Sequence, residues 1–94
     1  GWKVEETPKS GDQGIDLIAS IEKYRLCIQC KDHKNAIGNK AVQEVTAGKQ
    51  YWNGTHAILV SQSGYTKSAY KLAAANNVLL VSTLELNNID SLIF

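Results

Sequence analysis

The chain has no methionine, one proline, one phenylalanine and two cysteines in 94 residues, and its formal net charge is only +1. Each scarcity excludes something. No apolar run approaches the roughly 20 residues of a membrane-spanning helix, and no signal-peptide pattern opens the chain, so no membrane partner is expected. With so small a net charge, total charge makes no case for a nucleic-acid partner. Cys27 and Cys30 have a Cys-x-x-Cys spacing, but no second cysteine pair exists to complete a zinc site. They also fall in an extended run, where positions three apart point to opposite faces. They are expected to be two small, half-buried thiols in a reducing, cytoplasmic compartment.

What is present describes a folded α/β unit. Apolar residues make up 44% of the chain, an ordinary share for a globular domain. The length suits one hydrophobic core, so residues 1–94 are expected to form a single domain. The start at Gly1-Trp2 fits an excerpt of a longer chain. Trp2 to Thr7 alternates weakly, as a short strand does. Residues 8–14 are a loop by composition. Ile15 to Ile21 reads as a strand, Glu22-Lys23 as a turn, and Tyr24 to Lys31 as a second hairpin strand.

Residues 32–39 are polar and loop-like. Ala41, Val45, Gly48 and Trp52 then recur at helical spacing, predicting a helix over 40–52 with Asn39 as its N-cap. His56 to Ser61 and Val78 to Val81 read as buried strands. Between them a helix runs from the cap candidate Thr66 to Ala75, with Ala69, Leu72, Ala73 and Ala75 toward the core. The stretch from Leu84 to Phe94 reads as a short helix and an apolar tail. A hairpin followed by two strand-helix-strand crossovers implies a mixed sheet with helices on its faces.

The chemistry gathers at the open end of the hairpin. Gln29 and Lys31 are two apart, so on one strand they share a face. A regular turn at Glu22-Lys23 pairs position 16 with position 29, which sets Asp16 across from Gln29 at about 4.5–5.5 Å between Cβ atoms. A carboxylate, an amide oxygen and the main-chain carbonyl of Cys30 form an oxygen-rich set suited to Mg²⁺, which keeps waters and accepts substrate phosphate as further ligands. Lys31 would orient the attacking water or offset developing negative charge. Gln at position 29 lowers the ligand charge, so weak affinity for the free ion is expected. The bland alternative is an ion pair and a cross-strand hydrogen bond that only fix the hairpin. A polar trio on an otherwise apolar strand pair favours function, because buried charge is costly. Lys34, Lys40 and His33 surround this point and are candidate phosphate contacts, although each also suits a solvated surface. Glu44 is a secondary candidate whose competing reading is a solvated helix position. Tyr65 and Thr66 read as turn and cap, and Trp52 as packing at a helix end.

Gly11-Asp12-Gln13-Gly14-Ile15-Asp16, followed by Gln29-Cys30-Lys31, resembles the catalytic domain of the Mrr-type restriction endonucleases. These belong to the PD-(D/E)xK nuclease superfamily, here in a D…QxK variant. The Val42-Gln43-Glu44 helix, the Ile58-Leu59-Val60 strand, the Tyr65-Thr66 helix start and the strand from Val78 to Val81 extend the likeness over most of the chain. The resemblance implies a restriction-endonuclease-like mixed β-sheet flanked by helices, and a Mg²⁺-dependent DNA endonuclease in which Mn²⁺ substitutes. Asp16 would be the metal-binding acid, Gln29 the second ligand and Lys31 the catalytic lysine. Asp12 stands in the glycine loop at the site entrance as a further candidate. DNA would be the substrate, with a recognition domain elsewhere in the parent chain and a homodimer for double-strand cutting. One departure is the absence of a helix before the first strand bearing a site-facing glutamate; Glu5 and Glu6 are not convincing substitutes. Two alternatives keep the fold. One is a catalytically degenerate domain that binds DNA or a protein, and the other a Holliday-junction-resolvase-like nuclease.

Overall fold

The computed structural model describes residues 1–8 and 14–88. Five strands form one sheet in the order β1 (Lys3–Glu6), β2 (Leu17–Ile21), β3 (Tyr24–Lys31), β4 (His56–Ser61) and β5 (Val78–Ser82). The first three pair antiparallel and the last three parallel, so β3 is where the sheet changes sense. Helix α1 (Asn39–Tyr51) links β3 to β4, and α2 (Lys67–Ala75) links β4 to β5. A 3-10 turn (Thr83–Asn88) follows β5. The expected tail from Leu84 begins inside that turn, and its residues from 89 onward lie outside the described part.

Alternation along β3 sorts the core into two layers. Cys27 faces α1 and α2 together with Ile18, Ala57, Leu59 and Val78, packed by Val42, Val45, Ala69 and Ala73. Leu26 and Ile28 face the other way with Ala19, Ile58, Val60 and Val81. The cysteines therefore point apart as expected, but neither is half-buried: Cys27 is buried in the core, Cys30 is exposed on the other face, and both are free thiols. Burial raises the pKa of each above the usual thiol value, and the Asp16 carboxylate pushes Cys30 further up. Both described helices lie on one face rather than on two. Successive right-handed crossovers that step in one direction across a sheet leave their helices on the same side.

Several boundaries differ from the expectations. The hairpin keeps the expected register from Leu17↔Ile28 to Ile21↔Tyr24. Its two-residue turn places Glu22 at φ 50°, the left-handed geometry that matches strand twist. The strand starts at Leu17, however, and not at Ile15. Asn39 is not the cap of α1. Gly38 holds that place without a side-chain hydrogen bond, while the Asn39 amide donates to Ser68 Oγ at 2.7 Å and ties the starts of α1 and α2 together. Thr66 does cap α2, accepting from the Ala69 amide at 3.0 Å. Ala75 is exposed rather than packed. The segment between β3 and α1 is polar as expected, yet Ile37 within it is buried and bridges to Tyr65.

Helix α1 ends where Asn53 takes φ 56° and the Gly54 amide donates to the Lys49 carbonyl at 2.8 Å, an ending that satisfies a terminal carbonyl. Gly54 is pressed against β3: a Cβ there would lie 2.5 Å from Cys27 Sγ and 3.3 Å from the Arg25 carbonyl. Overpacking of this kind costs about 1–3 kcal/mol. Gly54→Ala is therefore expected to lower the urea midpoint, and Cys27→Ala in the same chain to restore part of the loss. An unchanged midpoint for the single variant would remove this contact as a constraint.

Candidate functional site

Asp16 sits one step beyond the paired part of β2, and its main chain is held from both sides. Its amide donates to the Ile28 carbonyl at 2.8 Å, and its carbonyl accepts from the Thr7 amide at 3.1 Å. The Thr7 hydroxyl donates to the Ile15 carbonyl and lies 3.3 Å from that of Asp16. Ile15 itself is fully buried and anchors the segment. The bond to Ile28 is one residue out of step with the hairpin register. Asp16 is thus not in a regular pair with Gln29, contrary to the arithmetic of an ideal hairpin.

The offset still delivers the side chain to the end of β3. Asp16 Oδ2 accepts from the Cys30 amide at 2.8 Å, the N–H that directly follows Gln29. No hydrogen bond to Asp16 Oδ1 occurs among the described residues. Gln29 is 6% exposed, and its Oε1 is buried without a hydrogen-bond partner among the described residues. An orphaned buried acceptor costs about 1–3 kcal/mol. Lys31, two residues on, faces α1, and its Nζ meets Glu44 Oε1 at 3.2 Å. The lysine's ion pair is therefore with Glu44 and not with Asp16.

Gly14 is packed tightly here. It has φ +76°, and a Cβ on it would stand 3.2 Å from Gln29 Nε2 and 3.4 Å from Glu44 Cβ. The last residue of the glycine loop is wedged between the strand that carries Gln29 and the helix that carries Glu44. Asp12 lies outside the described residues. Glu44 is half-exposed and paired, not freely solvated. A signal for this was present in its position, three residues after Ala41 and four before Gly48, at the border of the buried stripe. Thr7 gave no comparable signal, because its partners are main-chain carbonyls.

The basic candidates divide. His33 and Lys40 line a cleft of ≈ 210 Å³ with Lys31, Glu44 and the Gly38 start of α1, whereas Lys34 is exposed elsewhere. Tyr65 is structural, as expected: its hydroxyl lies 2.9 Å from the Leu59 carbonyl and 2.7 Å from that of Val81, and burial drives its pKa far upward. Trp52 packs against the core and its carbonyl accepts from Arg25 Nε at 2.8 Å. Among the described residues, no three His, Cys, Asp or Glu side chains cluster as a metal centre, and no helix is long and apolar enough to cross a membrane.

The wedge at Gly14 yields a measurable expectation. Gly14→Ala forces an L-residue into the left-handed region, at about 1–2 kcal/mol. We expect a matching loss of unfolding free energy, together with displaced side-chain amide resonances of Gln29 in ¹H–¹⁵N spectra. Unmoved Gln29 resonances would show that the loop does not seat on that residue.

The solved structure described as a protein of unknown function, AF1548, is similar in fold, with a TM-score of 0.72 at 20% sequence identity. The alignment covers 87% of this chain and 50% of that one, so the chain spans half the length of this neighbour. None of the curated proteins matches the chain. The profile of the Mrr catalytic domain, described as restriction endonuclease, matches residues 1–89. On that match over nearly its whole length, the chain belongs to the Mrr catalytic family of restriction endonucleases.

Proposed function

We propose that the chain is a divalent-metal-dependent DNA endonuclease domain, with Mg²⁺ as the ion and Mn²⁺ able to replace it. The observation that carries the reading is the buried Gln29 Oε1, without a hydrogen-bond partner among the described residues, near a carboxylate held on the next residue's amide. These residues fit a hard cation, which seeks oxygen donors and tolerates neutral ones. Asp16 Oδ1, Gln29 Oε1 and the Cys30 main-chain carbonyl would hold it. Bound there, a divalent ion would supply Lewis-acid polarisation of the scissile phosphate.

The remaining work falls to the chain. Lys31 has three N–H donors, of which one is engaged by Glu44. The others are free to steady the attacking water or the charge growing on the phosphate. Glu44 acts through Lys31 as a positioning residue. An ion pair this accessible adds at most about 1 kcal/mol to stability, so its value lies in aiming the ammonium. In the adjoining cleft Lys40 offers positive charge, and His33 a ring nitrogen, to flanking phosphates. Cutting both strands of a duplex takes two such sites, which a homodimer would provide. Sequence recognition would reside in another domain of the parent protein, and two free thiols suit the cytoplasm.

Asp16→Ala and Lys31→Ala are each expected to slow plasmid nicking in Mg²⁺ by about 10²-fold or more. Cutting that survives both substitutions would end the assignment. Binding of DNA without cutting by the unaltered protein would favour the degenerate domain, and preference for four-way junctions over linear duplex would favour a junction resolvase. Gln29→Glu adds charge to the ligand set. We expect tighter Mn²⁺ binding by calorimetry and, because the new carboxylate is buried and unpaired without metal, a lower melting temperature of the metal-free protein. Weaker Mn²⁺ binding in that variant would remove Gln29 from the ligand set.

A further inference from the structure

The carboxyl ends of the parallel strands continue the site in one direction. Lys31 lines not only the cationic cleft but also a second cleft of ≈ 280 Å³, shared with Cys30, Asp32, Val60, Gln62 and Thr83. A third, of ≈ 320 Å³, is lined by Gln62, Ser82, Thr83 and Leu84. The second and third share Gln62 and Thr83 and form one groove, which meets the first cleft at Lys31. Lys31, Ser61 and Ser82 stand side by side at the ends of β3, β4 and β5.

The two sides of Lys31 differ in chemistry. One side has His33, Lys40 and the uncapped start of α1, which favour phosphate, and its one carboxylate, Glu44, is paired with Lys31. The other offers an amide, hydroxyls and the 89%-exposed Leu84, with the Asp32 carboxylate at its near end. A phosphate is disfavoured beside Asp32. A base or sugar, with polar edges and an apolar face, suits that lining.

Both walls are pre-set. The Ser63 amide donates to Ser61 Oγ at 3.1 Å, and the two serine hydroxyls are 3.0 Å apart, which fixes the bend that presents Gln62. The Ser82 amide donates to Glu85 Oε1 at 2.8 Å, and the Glu85 amide approaches Ser82 Oγ at 3.3 Å. This reciprocal pair closes the turn that presents Thr83. The side chains of Gln62 and Thr83 make no hydrogen bond among the described residues and face open groove.

We propose that Gln62 and Thr83 hold the nucleoside next to the scissile phosphate, on the side of Lys31 away from His33 and Lys40. The inference rests on the nuclease reading and adds a direction to it: phosphates on the α1 side, base and sugar on the β4–β5 side.

The test uses the full-length protein, first to map a cleavage position and then, as the Asp16→Ala variant, to bind duplexes in which one nucleotide beside that position is abasic. With Gln62 and Thr83 intact, an abasic nucleotide on one side of the scissile phosphate is expected to weaken binding about tenfold. With Gln62→Ala and Thr83→Ala together, the unmodified duplex should bind about as weakly, and the abasic penalty should vanish. The same penalty with and without the two substitutions overturns the proposal, as does its absence in the protein that retains both residues. A full-length protein that cuts no DNA in Mg²⁺ or Mn²⁺ overturns this proposal and the nuclease reading together. One that cuts normally but shows either contrary binding result overturns this proposal alone.

Discussion

The hydrogen bond from the Cys30 amide to Asp16 Oδ2 fixes the acid's side chain where the hairpin pairing ends. On one side is the segment that leads into β2. On the other is the end of β3, the strand whose neighbours run in opposite senses. The carboxylate comes to rest on main chain, whose position the sheet already determines. That matters for a reaction centre, because a ligand set is useful only when its members cannot drift apart. Thr7 completes the arrangement by holding the backbone on either side of the Asp16 amide plane.

The distribution of charge around this point is unusual for a metal centre. An amide stands where a second acid would be expected, and the Glu44 carboxylate pairs with the lysine. On the proposed nuclease reading, such a site would carry little negative charge of its own until substrate phosphate arrived. A divalent ion would then be recruited as much by DNA as by protein. The cationic cleft beside Lys31 fits that order of events, since positive charge attracts the polyanion before the ion is fully coordinated.

Much of this was legible in the order of residues. Strand alternation at Leu26, Cys27 and Ile28 gave the two faces of β3, and a two-residue turn at Glu22-Lys23 gave the register as far as Leu17. The Thr66 cap and the helical spacing of Ala41 and Val45 were equally local. What escaped were relations between distant segments. The slip at Asp16 depends on Thr7 and Ile28 together. The role of Gly14 depends on the height of α1 above the sheet, which no periodicity encodes. Asn39 has the chemistry of a cap, but a partner on the second helix claims its amide. Local propensity yields where a tertiary hydrogen bond is available.

The hairpin register has a consequence for how such a domain can vary in evolution. Strand faces alternate with every residue, so an insertion of one position within β2 or β3 would turn the outer part of that strand over and carry Asp16 or Gln29 away from the other. The tip at Glu22-Lys23 is the place where a change of length, with a change of turn type, disturbs the far end least. Descendants of this sequence should therefore differ in length at the tip and keep the two arms constant.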